Sequence, residues 1–133
     1  MNVRSNKKFK FVIEKTDTGY SAYCTHESIF TTGASIAELN SNILEATNLH
    51  IEEFAQFATM ENIKIELDIA QLFEYYKILN SKHLARRIGM NETLLNQYVK
   101  GKKKPSKRQL IRILDGIQKI GNELSELNLV GTT

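Results

Sequence analysis

Between Lys100 and Arg108 the chain places six cations, Lys100, Lys102, Lys103, Lys104, Lys107 and Arg108, in nine residues without an intervening acid. Cations at that density suit phosphate oxygens, where each contact adds affinity and register without reading a base. A second charged segment has the opposite sign. Residues 35–68 carry seven carboxylates and one lysine, a surface suited either to solvent or to a basic partner. Catalytic chemistry finds less support. Glu14, Asp17, Glu66 and Asp68 lie near expected strand ends, but no three acids gather at one metal position. His26, His50 and His83 are scattered and have no Ser or Cys partner at a useful spacing. The expectation is a binding protein rather than an enzyme, with no catalytic residue, no metal and no cofactor. Cys24 is the single cysteine, so it forms no internal disulfide, and it reads as a small buried strand residue.

The net charge of +3 conceals a division along the chain. Residues 1–68 hold six Lys/Arg against ten Asp/Glu, whereas residues 69–133 hold twelve against five. Two halves of opposite sign point to two partners. A hydrophobic content of 41% supports packed cores, and no apolar run reaches the roughly 20 residues that span a bilayer. The first residues have no signal-peptide apolar core, so the cytoplasm is the expected compartment and no membrane partner is expected.

The elements that carry these groups follow from periodicity. Phe9, Phe11 and Ile13 alternate with polar residues in "KFKFVIEK", and "TDTG" then supplies a turn. "YSAYC" and "SIFTTG" read as second and third strands. Ser35 and Glu38 form a capping box that opens a helix, whose apolar face of Ile36, Leu39, Ile43, Ala46, Ile51, Phe54 and Phe57 carries it to about Ala58. "NIKIEL" adds a fourth strand through Ile63, Ile65 and Leu67. The front half, residues 1–68, is therefore β-β-β-α-β, a sheet with one helix across a face.

From Asp68 the period becomes helical, which sets a second, all-α domain at 69–130 and an α+β class for the whole. "DIAQLFEYYKIL" is its first helix, with Ile69, Leu72, Phe73 and Tyr76 inward. Asn80 caps "SKHLARRI", Gly89 ends it, Asn91 caps "ETLLNQYVK", and Gly101 ends that in turn. Ser106 and Gln109 open a long helix that buries Leu110, Ile113, Leu114, Ile117, Ile120 and Leu124. The closing "GTT" reads as a frayed tail.

Two short helices joined by a glycine turn and followed by lysines make a helix-turn-helix pattern. Ala85 suits the close crossing, Gly89 the positive φ, and Leu84, Ile88, Met90, Leu95 and Tyr98 the shared core. Residues 69 to 124, with "YVKGKKKPS", resemble the phage-repressor-like (XRE) helix-turn-helix family. That resemblance implies a recognition helix from Asn91 to Lys100, with Asn91, Glu92, Thr93, Asn96 and Gln97 toward base edges. The chemistry permits it: Gln97 can bond adenine bidentately, Glu92 can accept from cytosine N4, and the Thr93 methyl can meet thymine.

"GYSAYC", "IFTTGASIAELNSNILEA" and "IKIEL" resemble the amino-terminal domain of HicB antitoxins, a partial RNase H-like β-β-β-α-β fold to which a subset of members appends a helix-turn-helix. The loop "THES" is shorter than is common in that family. The resemblance implies a type II antitoxin that covers a HicA-like toxin, a small basic RNA-cleaving protein, and represses its own operon. Glu38, Glu45, Glu52, Glu53, Glu61 and Glu66 are then candidates for the toxin face. Operator DNA with an inverted repeat, and a homodimer or higher homo-oligomer, are the further expected partners. The alternative is a stand-alone helix-turn-helix transcriptional regulator whose front half only oligomerises or senses a ligand.

Overall fold

A computed structural model describes residues 2–129; the tail at 131–133, expected to fray, lies outside the described residues. The class is α+β, with five α-helices and six strands among the described residues. The chain forms two compact units, Met1–Tyr75 and Tyr76–Thr133.

The first unit is built on a four-stranded sheet of β2 (Phe9–Thr16), β3 (Gly19–Cys24), β4 (Phe30–Gly33) and β6 (Ile63–Leu67) in the order β4-β3-β2-β6. β2, β3 and β4 form an antiparallel meander, and β6 returns parallel to β2 with Phe9 opposite Ile63 and Phe11 opposite Ile65. A parallel neighbour needs a crossover, which α1 (Ile36–Ile51) supplies. Alternation along β2 sends Phe9, Phe11 and Ile13 to one face, where they meet Ala22, Cys24 and the α1 residues Leu39 and Ile43 in a continuous core. The helix lies against β4 so closely that a Cβ at Gly33 would stand 2.5 Å from the Leu39 nitrogen. Ser35 caps α1 as expected, accepting from Glu38 N at 3.1 Å, while Glu38 Oε2 accepts from Ala34 N at 3.3 Å.

Helix α1 stops at Ile51 rather than near Ala58. Glu52–Phe54 tighten into a 3-10 turn, Ala55 adopts a left-handed φ of 54°, and Gln56–Phe57 become strand β5. The partner of β5 is β1 (Val3–Arg4), parallel to it and more than fifty residues away, which helical periodicity cannot register. Phe54 and Phe57, expected inward, are 62% and 40% exposed in consequence. Ile36 and Ile65 are also exposed, Ile65 because β6 is an edge strand beyond the cover of α1. Two asparagines bind these returns. Asn48 bonds both the N–H and the carbonyl of Ala58, and buried Asn62 donates to Ser5 O at 2.9 Å and Lys7 O at 2.7 Å while accepting from Thr59 N.

The change to a helical period at Asp68 is real, yet the compact division falls after Tyr75. Helix α2 (Ile69–Tyr75) packs on β2, and the Gln71 side chain bonds both the N–H and the carbonyl of Lys15 at 2.8 Å. The amide pair acts as a short substitute strand. Tyr76, expected inward, lies beyond the end of α2 and is 38% exposed.

Helices α3 (Ser81–Ile88), α4 (Glu92–Val99) and α5 (Lys107–Ser125) make up the second unit. Asn80, Asn91 and Ser106 cap them, accepting from His83 N, Leu94 N and Gln109 N at 3.0–3.2 Å. Leu84, Ala85, Met90, Leu95, Tyr98 and Ile113 are buried. Leu124, expected inside, is 60% exposed, although its neighbour Glu123 in the last turn of α5 pairs with Arg87 of α3.

Candidate nucleic-acid interface and acidic face

Three contacts set the angle between α3 and α4. Gly89 takes φ 71°, where a side chain would be strained, and Met90 N donates to Ala85 O at 2.8 Å to close the turn. The Arg112 guanidinium on α5 donates to the carbonyls of Ile88 at 3.0 Å and Gly89 at 2.7 Å. Gly116 admits Ile88 to the α3–α5 crossing, since a Cβ there would stand 2.3 Å from Ile88 Cγ2.

With Leu95 and Tyr98 buried, the opposite side of α4 turns outward. Asn91, Thr93, Asn96 and Lys100 are exposed and Gln97 is half-buried. Thr93, Asn96, Gln97 and Lys100 share this outward side and present hydroxyl, amide and ammonium groups together. Asn91 and Glu92 stand differently from expectation. The Asn91 Oδ1 is occupied by Leu94 N, leaving its amide NH₂ to face outward contacts. Glu92 Oε1 accepts from Arg86 Nε at 2.6 Å, and that guanidinium hydrogen bond holds its carboxyl below the usual carboxylate range. The carboxylate is thus engaged by the neighbouring helix.

The cation run begins in a fixed turn rather than a loose loop. Gly101 has φ 73°, and the Lys102 and Lys103 nitrogens donate back to Gln97 O at 2.9 and 3.2 Å. Lys100, Lys102, Lys103, Lys104, Lys107 and Arg108 are all exposed. Sequence reasoning missed Arg86 and Arg112, whose roles come from partners across a turn and on another helix.

In the first unit the six candidate carboxylates separate. Glu38 serves the α1 start, Glu61 pairs with Arg4 at 2.8 Å, and Glu66 pairs with Lys10 at 2.9 Å on the sheet face away from α1. Glu45, Glu52 and Glu53 are exposed and carry no ion pair among the described residues. Glu27 is bridged by Lys7 and His50, which lower its carboxyl below the usual range, Lys7 foremost.

Comparison with known proteins adds one relative. A UPF0150 protein of Archaeoglobus fulgidus is similar to this chain. The two are 42% identical over 43 residues, a stretch that covers 32% of this chain and 65% of the relative. The chain thus spans just under two thirds of that relative's length. No family model matches, and no solved structure matches. Among the described residues no group of three or more His, Cys, Asp or Glu is placed to hold a metal ion, and no helix is long and apolar enough to cross a membrane.

Proposed function

We propose that the chain is an antitoxin that binds DNA through its second unit and a basic RNA-cleaving toxin of the HicA type through its first. The observation that carries the reading is the α3–turn–α4 pair, with Thr93, Asn96, Gln97 and Lys100 on one outward side and a tethered lysine turn directly after it. Major-groove binding uses these parts: a short exposed helix bearing amides and hydroxyls for base edges, and cations for the flanking phosphates. In this reading the second unit is a phage-repressor-like helix-turn-helix, and the first is a partial RNase H-like domain of the HicB kind. The similarity to a UPF0150 protein supports the latter, because that family is HicB-like. The unpaired Glu45, Glu52 and Glu53 support a basic partner. The protein acts in the cytoplasm as a homodimer, whose two helix-turn-helix units meet half-sites about 34 Å apart in an inverted repeat of its own promoter.

Two measurements test this. Binding to the promoter fragment upstream of the gene is followed across a salt series. Replacing Lys103 and Lys104 is expected to weaken all sequences alike and to flatten the log–log salt dependence by roughly one slope unit per lost phosphate contact, whereas replacing Gln97 shifts base preference. An unchanged slope and preference in these variants overturns the DNA-binding face. In the second, any small basic protein encoded by a reading frame beside the gene is expressed alone and with this chain. Restored growth and co-purification support the antitoxin reading. Promoter binding without either result makes the chain a stand-alone regulator.

A further inference from the structure

Two of the carboxylates that carry no ion pair among the described residues, Glu45 and Glu52, lie beside exposed apolar groups. Glu45, Asn48 and Leu49 recur at helical spacing on one stripe of α1, and with Glu52 of the following 3-10 turn, Asn2, Gln56 and Phe57 they line a groove of about 430 Å³ at the start of the small β1–β5 sheet. Leu49 is 65% exposed and Phe57 40% exposed. Asn48 is committed on both ends of its amide to Ala58, so the groove offers two carboxylates and the amides of Asn2 and Gln56 beside two apolar side chains.

That combination selects an occupant. Nucleic acid is repelled by Glu45 and Glu52, and a shallow open trough encloses too little of a small molecule to hold it. A protein segment that places an aliphatic or aromatic side chain between Leu49 and Phe57, with Lys or Arg on either side, satisfies both the apolar and the charged surface. We propose that this groove, rather than the open sheet face or the Glu61 and Glu66 sites, is where the first unit takes a basic protein, anchored by Leu49 and Phe57 and steered by Glu45 and Glu52. The inference rests on the reading that the first unit binds such a protein. It adds the surface, its apolar anchors and the exclusion of four of the six candidate acids, Glu38, Glu53, Glu61 and Glu66.

The test uses the full chain and any small basic protein encoded beside its gene, purified, with binding measured by calorimetry at two salt concentrations. Leu49→Asp and the double change Glu45→Lys with Glu52→Lys are each expected to weaken binding roughly 100-fold or more, as loss of a central anchor or reversal of facing charge does. Glu45→Gln with Glu52→Gln is expected to flatten the salt dependence of the affinity. Amide exchange along β1 and β2, unchanged in the same variants, shows that the first unit is intact, and unchanged promoter binding shows the same of the second. If the unmodified chain binds and all three variants bind as it does, the groove is the wrong surface and the antitoxin reading survives. If the unmodified chain does not bind, the reading itself falls, and this inference with it.

Discussion

Arg86 on α3 donates its Nε to Glu92 Oε1 at 2.6 Å across the turn that joins α3 to α4. The pair changes what Glu92 is expected to do. A carboxylate held by its own protein's guanidinium is a poor acceptor for a cytosine amine, because reaching the base means giving up a charge-assisted bond. Glu92→Gln is therefore expected to leave base preference unchanged and to raise affinity for all DNA sequences, since it removes a negative charge and releases Arg86. A selection over randomised operators, run on both proteins, checks this. The pair also sets a pH dependence. The folded carboxyl titrates below its unfolded value, so its stabilisation is present above the unfolded pKa and is lost as pH falls through the lowered folded one. The difference in melting temperature between the unmodified chain and Glu92→Gln should shrink below about pH 4.

Gly116 and Ile88 meet where α5 crosses α3. A methyl at 116 would collide with Ile88 Cγ2 at 2.3 Å, and a β-branched side chain in a helix has little rotamer freedom with which to yield. Gly116→Ala is expected to destabilise the second unit by about 1–3 kcal/mol, despite the higher helix propensity of alanine. Adding Ile88→Ala should recover part of that loss, and a double-mutant cycle in urea measures the coupling. Additive effects would mean the contact carries no energy.

Arg112 closes the C-terminal end of α3 by donating to the carbonyls of Ile88 and Gly89. Arg112→Ala removes two hydrogen bonds at a negative helix end and is expected to cost about 1–2 kcal/mol. Because the same residues hold α4 at its angle, promoter affinity should fall while base preference stays the same. Arg112→Lys, which lacks the planar fork, should recover only part of either property. Chemical denaturation and operator titration report the two effects separately.

Asn62 is 2% exposed and joins three separate backbone groups, Ser5 O, Lys7 O and Thr59 N. Asn62→Ala leaves these groups without their partner and is expected to lower the stability of the first unit by about 2–3 kcal/mol. Asn62→Asp should be worse, since a carboxylate facing two carbonyls repels both. Amide exchange along β1 and β2 should accelerate in both variants, with little change in α3 and α4.

Local features were legible without coordinates because their hydrogen bonds close within a few residues. Ser35, Asn80, Asn91 and Ser106 were recognisable as caps, Gly89 as a left-handed stop, and Phe9, Phe11 and Ile13 as a buried face. Composition alone marked the cation run after α4, whereas the outward side of α4 came from the resemblance to the helix-turn-helix family. The local reading misjudged the end of α1, since the pull on Gln56–Phe57 comes from Val3–Arg4 at the far end of the unit. It ended the first unit at the change of period, whereas α2 is tied to β2 through Gln71 and Lys15.

What the amino-acid sequence by itself determined was the order of elements, their faces and the opposite charge of the two halves, all of which depend on neighbours three or four residues apart or on simple composition. Tertiary structure alone decided which charges are spent and which are free. Arg86 takes Glu92, Arg4 takes Glu61 and Lys10 takes Glu66, while Glu45 and Glu52 are left beside Leu49 and Phe57. An ion pair forms wherever folding brings two side chains within a few ångströms, and among these only Arg86 and Glu92 are close along the chain.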